Sequence, residues 1–324
     1  MSRFSIVIPI YNAQQYLKDC LDSLLAQSYA DWEAICVNDG SSDSSEAILR
    51  EYAASDHRFR IVQQENSGVS SARNAGIRMA SSPWLLFLDA DDVLHCDACL
   101  LINKAIAEHP KVDIVAFGTV RFLDCEHIDW DIESSSPSFT VYDTRFVIPE
   151  MEMVHYFAGK AYRKTVVESK TFGPFTHGED VLFLIQCMKS ADSVALTGAK
   201  LYAYRIRSDS ATQSEMTLKR LKGHIALCKE YFSELEAFPK SVNSCFFRGR
   251  VFFLIFHCGI AVSYFSRDEI DEGRVAWKDM MAFISSCSVI QLRYRCIARF
   301  VSMVCPSFFF KIVGRLYRWR RLSI

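Results

Sequence analysis

Beyond Asp279 the sequence contains no Asp or Glu, while eight basic residues follow: Arg293, Arg295, Arg299, Lys311, Arg315, Arg318, Arg320 and Arg321. Because the whole chain of 324 residues has a formal charge of −1, the part before this tail carries nine net negative charges. Such a split points to a tail that meets something anionic. Nothing else favours nucleic acid, which is not expected as a partner. The sequence also lacks an apolar run long enough to span a bilayer. Val251–Phe265 offers about 15 residues, broken by His257, against the roughly 20 that a spanning helix needs. The opening Met1–Ile10 is too short and lacks a small-residue cleavage site, so no secretory leader is expected. Twelve scattered cysteines in such a chain read as reduced thiols. Cys96 and Cys99 form a C-x-x-C, but no second ligand pair stands at zinc-site spacing, so bland or buried thiols are expected. No G-x-G-x-x-G follows the first apolar run, which argues against a nicotinamide-dependent oxidoreductase. Tyr11-Asn12-Ala13-Gln14 is not the Gly-rich basic loop of a nucleotidyltransferase.

What is present is a globular composition, half hydrophobic and 23% charged, with length for one large domain and an appendage or for two modest domains. Apolar runs at 4–10, 32–37, 59–63 and 84–88 read as strands. Helical spacing recurs between them at 16–27, 44–54 and 70–80. This alternation predicts right-handed βαβ units and a parallel sheet. A further strand is expected at 111–117, a helix at 181–188 and a strand within 194–204. The pattern weakens over 119–150, and beyond 215 it turns to helices rich in Phe, Cys and Arg.

Each early strand stops at a polar cluster. In open α/β sheets ligands bind beyond the carboxyl ends of the strands, so Tyr11, Asp39, Asn66 and Asp89 to Asp92 are expected at one crevice. Asp89-Ala90-Asp91 is a D-x-D, whose two carboxylates can share a hard divalent cation and a ribose. Taken alone it is equally a turn. Glu179-Asp180 opens the helix after Gly178; by itself the pair reads as an acidic helix start, where the anion is stabilised.

Four segments together resemble the successive signatures of family 2 glycosyltransferases of the bacterial cell-surface polysaccharide type: Ser5-Ile-Val-Ile-Pro-Ile-Tyr-Asn12, Val37-Asn-Asp-Gly-Ser-Ser-Asp43, Asn66-Ser-Gly-Val-Ser-Ser-Ala-Arg-Asn-Ala-Gly76 and Phe87-Leu-Asp-Ala-Asp-Asp92. The resemblance covers 4–215. It implies a GT-A fold, with a Rossmann-like, mostly parallel central sheet flanked by helices, and a C-terminal helical extension. Residues 1–215 would form the transferase domain, 1–118 as the nucleotide-sugar half and 119–215 as the acceptor half; 216–324 would be helical. The implied activity is inverting transfer of one sugar from a nucleotide-diphosphate sugar, UDP being the expected base, with Mn2+ or Mg2+ as cofactor.

By the same resemblance, Pro9, Tyr11, Asp39 and Asn66 would hold the base, and Arg73 the nucleotide or its phosphates, unless it is a surface helix residue. Asp89 would meet the ribose and Asp91 the metal, Asp89 assisting. Asp92 could cap a helix. Asp180 would be the catalytic base with Glu179 in support, while His177 reads as a loop or core residue. Arg207 and Ser210, in Tyr204-Arg205-Ile-Arg207-Ser-Asp-Ser210, would take the leaving diphosphate. Lys160 matches a frequent family lysine. No Q-x-x-R-W follows Asp180, so one sugar and not a polymer is expected. The alternative function, an inactive nucleotide-sugar-binding or scaffold subunit, conflicts with the intact carboxylates. From 293 to 321, apolar and basic residues mix as in a helix lying in an anionic membrane surface. The expected acceptor is a sugar or polyprenyl-linked saccharide, and the expected location cytoplasmic, at the inner membrane face.

Overall fold

The computed structural model of the chain describes residues 2–124, 127–130, 137–145, 157–175, 178–207 and 217–236, together with Val275, Asp279 and Ala282. Strands β1 (Phe4–Ile10) and β2 (Trp32–Asp39) are buried at every position. That explains their unbroken apolar reading: a parallel strand covered on both faces has no solvent side to alternate toward. β3 (Phe59–Gln64) forms the sheet edge, and β4 (Trp84–Phe87) pairs parallel to β1 on the other side. The order β3-β2-β1-β4 reverses direction between β1 and β4, and such a switch point opens a crevice at the carboxyl ends.

Beyond β4 the sheet becomes mixed. β5 is the two-residue Val93–Leu94, β6 spans Ile114–Leu123, β7 Thr140–Asp143, β8 Lys160–Arg163 and β9 Ser193–Ile206. The path continues β4-β8-β6-β9-β5, with β7 also paired to β9. β8 runs antiparallel between β4 and β6, whereas β6 and β9 are parallel. The sheet is thus mixed and less parallel than expected: β5, β7 and β8 are reversed, and its pairings divide evenly between parallel and antiparallel.

Helices α1 (Leu17–Leu25), α2 (Ser45–Ser55), α3 (Val69–Met79) and α4 (Ala98–Glu108) pack on it. α1 buries Leu17, Cys20, Leu21 and Leu24, a three- and four-residue spacing that gives one apolar face. α3 lies so close to β1 that a Cβ at Gly76 would stand 2.2 Å from Val7 Cγ1. The short α5 (Lys164–Val167) follows β8, and α6 (Glu179–Ser190) precedes β9. α4 and β8 were not read from the sequence.

The chain divides into two compact units. One comprises Met1–Thr144, Ile148–Pro174 and Glu179–Ser210; the other comprises Arg145–Val147, Phe175–Gly178 and Ala211–Ile324. The first holds the sheet. The second contains α7 (Leu218–Glu236), which buries Ile225, Leu227 and Tyr231. Among the described residues no helix is long and apolar enough to cross a membrane. The basic segment 293–321 lies outside the described residues.

Candidate active site

The loops after β1 and β2 are laced together. Asn12, at φ 48°, accepts the Ser42 amide at 2.8 Å, and its own amide donates to Ser41 Oγ at 3.1 Å. The Ala13 amide donates to Ser45 Oγ at 2.9 Å. Beside this lacing Tyr11 stands 53% exposed, whereas Pro9 is buried within β1 opposite Val37.

Asp39 ends β2 and turns onto the next loop. Its carboxylate accepts the amides of Ser67 (2.9 Å) and Gly68 (2.8 Å) and the Gln64 side-chain amide (2.6 Å). Gly40 has φ +71°, and a Cβ there would stand 2.8 Å from the Asn66 nitrogen, so a bulkier residue would push the two loops apart. Asn66 itself is exposed. The three loops after β1, β2 and β3 are thereby one connected rim.

Arg73 is only 6% exposed, which rules out the surface-helix reading. One nitrogen lies 2.9 Å from Asp89 and another 3.0 Å from Glu179. Its guanidinium faces the rings of Phe157 and Phe172, each centroid at 5.3 Å. Burial opposes the charge, but Asp89 and Glu179 outweigh it and raise the Arg73 pKa. The residue joins the D-x-D to the start of α6. Burial raises the Glu179 carboxyl, as does Asp180, with Arg73 pulling the other way. Asp180 caps its own turn, its carboxylate accepting the Val181 amide at 2.8 Å. Lys160, 1% exposed on β8, is pushed down to about 7 by burial, with Asp180 opposing.

Asp91 pairs with Arg207 at 3.0 Å. Burial and the neighbouring Asp89 raise the Asp91 carboxyl. Two carboxylates crowded in this way suit a hard divalent cation, which takes oxygen ligands and relieves their repulsion. Asp92 is 1% exposed and is not a helix cap: it accepts the Tyr202 hydroxyl at 2.6 Å and the Arg205 amide at 2.9 Å.

Sequence reasoning missed Arg205. Its guanidinium donates to the Asp91 carbonyl (2.8 Å), Asp124 (2.6 Å) and Asp19 (2.8 Å), and lies over the rings of Tyr16 and Phe122. It holds the D-x-D loop by its backbone. The signal for it is its place in the 204–210 segment, two residues before Arg207. Ser210 and His177 lie outside the described residues. Cys99 is buried in α4, while Cys96 is exposed. His95, Cys96 and Asp97 cluster closely enough to ligate a cation, but the Asp97 amide already donates to His95 Nδ1 within the turn and the Ser28 hydroxyl donates to the Asp97 carboxylate.

Over 220 residues the chain is 31% identical to the glycosyltransferase GlyA of Streptococcus pneumoniae, covering 65% of this chain and 32% of GlyA. It is 29% identical over 231 residues to the minor teichoic acid biosynthesis protein GgaB of Bacillus subtilis, covering 68% of this chain and 25% of GgaB. The chain therefore spans about a third or less of these curated relatives. Among solved structures, S. aureus TarS 1–349 in complex with UDP-GlcNAc superposes with a TM-score of 0.72 at 16% identity, over 98% of this chain and 92% of that one. That likeness speaks to the fold, which is GT-A. The model of "Glycosyl transferase family 2" matches residues 5–169, half of the chain, and on that ground the chain belongs to glycosyl transferase family 2.

Proposed function

We propose that the protein transfers a single sugar from a nucleotide-diphosphate sugar to an acceptor hydroxyl, with inversion at the anomeric carbon. The observation that carries this reading is the Arg73 bridge, which joins Asp89 on the donor side to Glu179 beside Asp180. Tyr11, Asp39 and Asn66 belong to the rim where the base and ribose would lie, with Pro9 buried in the strand beneath it. Asp89 and Asp91 would hold Mn2+ or Mg2+; when bound, the ion offsets charge on the departing diphosphate. Asp180 takes the proton of the acceptor hydroxyl as that oxygen attacks C1 from the face opposite the diphosphate. Glu179, fixed by Arg73, holds the first turn of α6 in place. Arg207 and Ser210 meet the leaving diphosphate. A UDP donor is supported by the UDP-GlcNAc bound to TarS. A surface-polymer or lipid-linked saccharide acceptor at the inner membrane face is supported by the name of GgaB and by the basic tail.

The test is nucleoside diphosphate release from a panel of UDP-, GDP- and dTDP-sugars with Mn2+, with and without candidate acceptors. One donor should be consumed, with the product's anomeric configuration inverted by NMR. Asp91→Ala should abolish release, and Asp180→Asn should lower acceptor-dependent turnover by roughly 10²- to 10⁴-fold. Full activity in Asp180→Asn, or retention of configuration, would overturn the mechanism.

A further inference from the structure

Both carboxylates of the D-x-D are held by arginines, but in different ways. Arg73 is buried between two aromatic rings and also engages Glu179. Arg207 stands at the end of β9 with its side chain 27% exposed, against Asp91 at 22%, and its guanidinium lies 5.3 Å from the Tyr16 ring. Arg205, two residues earlier, is fixed by Asp19, Asp124 and the Asp91 carbonyl. The Arg73 and Arg205 side chains are themselves buried, at 7% and 5% exposed, against 27% for Arg207. Arg207 is the most accessible guanidinium of the three, and a guanidinium matches two phosphate oxygens at least as well as one carboxylate oxygen.

We infer that Arg207 is a stand-in for the divalent cation. In the donor-free protein it neutralises Asp91 and keeps the ion out. When the donor's diphosphate arrives, Arg207 leaves Asp91 for the phosphate oxygens, and Asp91 becomes available to the cation. The cation alone gains few protein ligands here, since such a site supplies only one or two carboxylates and phosphate oxygens complete the shell. It must also displace Arg207. The cation and the diphosphate together meet neither obstacle, so they bind as a unit, and each strengthens the other by the same factor. The inference rests on the reading of Asp89 and Asp91 as cation ligands.

The test is Mn2+ binding to the full chain, followed by electron paramagnetic resonance with and without UDP. In wild type, Mn2+ alone should bind weakly and UDP should tighten it. In Arg207→Gln, Mn2+ alone should bind roughly three- to tenfold tighter, as expected when a partly exposed ion pair no longer competes. In the same variant UDP should bind more weakly in the presence of Mn2+. The signature is the coupling: the factor by which UDP tightens Mn2+ should shrink in Arg207→Gln, whereas a positive charge that merely repels the cation and attracts the diphosphate would shift Mn2+ affinity equally with and without UDP. Arg207→Gln that leaves Mn2+ affinity unchanged, or moves both states by the same factor, overturns the inference. Asp91→Asn separates the two failures. If it retains wild-type Mn2+–UDP binding, the cation site itself is misassigned; if it loses that binding while Arg207→Gln behaves as wild type, only the role of Arg207 is wrong.

Discussion

Two carboxylates share the guanidinium of Arg73, and neither is a sequence neighbour: Asp89 is 16 residues away and Glu179 is 106. That separation is why the sequence pointed Arg73 at phosphates. Its type was legible, but its partners depend on how α3, β4 and α6 converge. The Glu179 side chain is 9% exposed, so removing Arg73 strands a buried charge. Arg73→Met should destabilise the fold by about 3–5 kcal/mol, the usual cost of breaking one side of a buried pair. Arg73→Met combined with Glu179→Gln should recover most of that loss in thermal unfolding, while transfer stays impaired. If the double variant is no more stable than the single one, the bridge is not what Arg73 supplies. Arg73→Lys keeps the charge but lacks the fork that reaches both acids, and should retain stability better than activity.

At the scale of elements, the early strands and helices were legible because burial on both faces leaves continuous apolar runs ending in polar clusters. β9 was legible as a strand but not in its orientation. Along its end Tyr204 and Ile206 are exposed while Arg205 is buried, the reverse of an apolar-in pattern, because the inner side faces Asp19, Asp92 and Asp124. The inserted β8 has only four residues and takes its place by pairing, not by any period in the sequence. Contacts between elements give two predictions. Gly76→Ala would put a methyl group into Val7, so α3 must move off β1, at about 1–3 kcal/mol of stability measured by denaturant unfolding. Glu33, on β2, accepts Ser5 at 2.6 Å, Arg60 at 2.8 Å and Ser81 at 2.8 Å, tying β1, β3 and the loop before β4. Burial alone would raise its carboxyl, but the bonds from Ser5, Arg60 and Ser81 hold it down at about 2. A folded pKa below the unfolded one contributes stability that is fully present above the unfolded value of 4.5 and is lost as pH falls toward 2. Glu33→Gln should therefore be less stable than wild type by about 1–3 kcal/mol at pH 7, and the gap should narrow by pH 3 and close only toward pH 2. An equal gap at pH 7 and pH 3 would show that the charge plays no part.

For the whole molecule, the family match ends at residue 169, before Glu179 and Asp180. The loops after β1 to β4 were therefore the most legible part of the proposed site, and the proposed acceptor side rests on one acidic pair and on the Arg73 bridge. The tail is a different kind of signal, one of composition and not of motif. Its eight basic residues face no acid within their own segment. Each lysine or arginine near an anionic leaflet contributes about 1 kcal/mol, and the attraction fades within a Debye length. Phe308, Phe309, Phe310 and Trp319 add apolar surface that could enter the headgroup region. Full-length protein should float with vesicles containing anionic lipid and not with purely zwitterionic ones. Raising the salt should weaken the association, and Arg318→Gln, Arg320→Gln and Arg321→Gln together should weaken it further while leaving donor release intact. Equal recovery on zwitterionic vesicles would mean that apolar insertion, not charge, holds the chain. No flotation at all would leave the tail as a cap on the protein itself, and the acceptor would then have to be one that reaches the enzyme away from the bilayer.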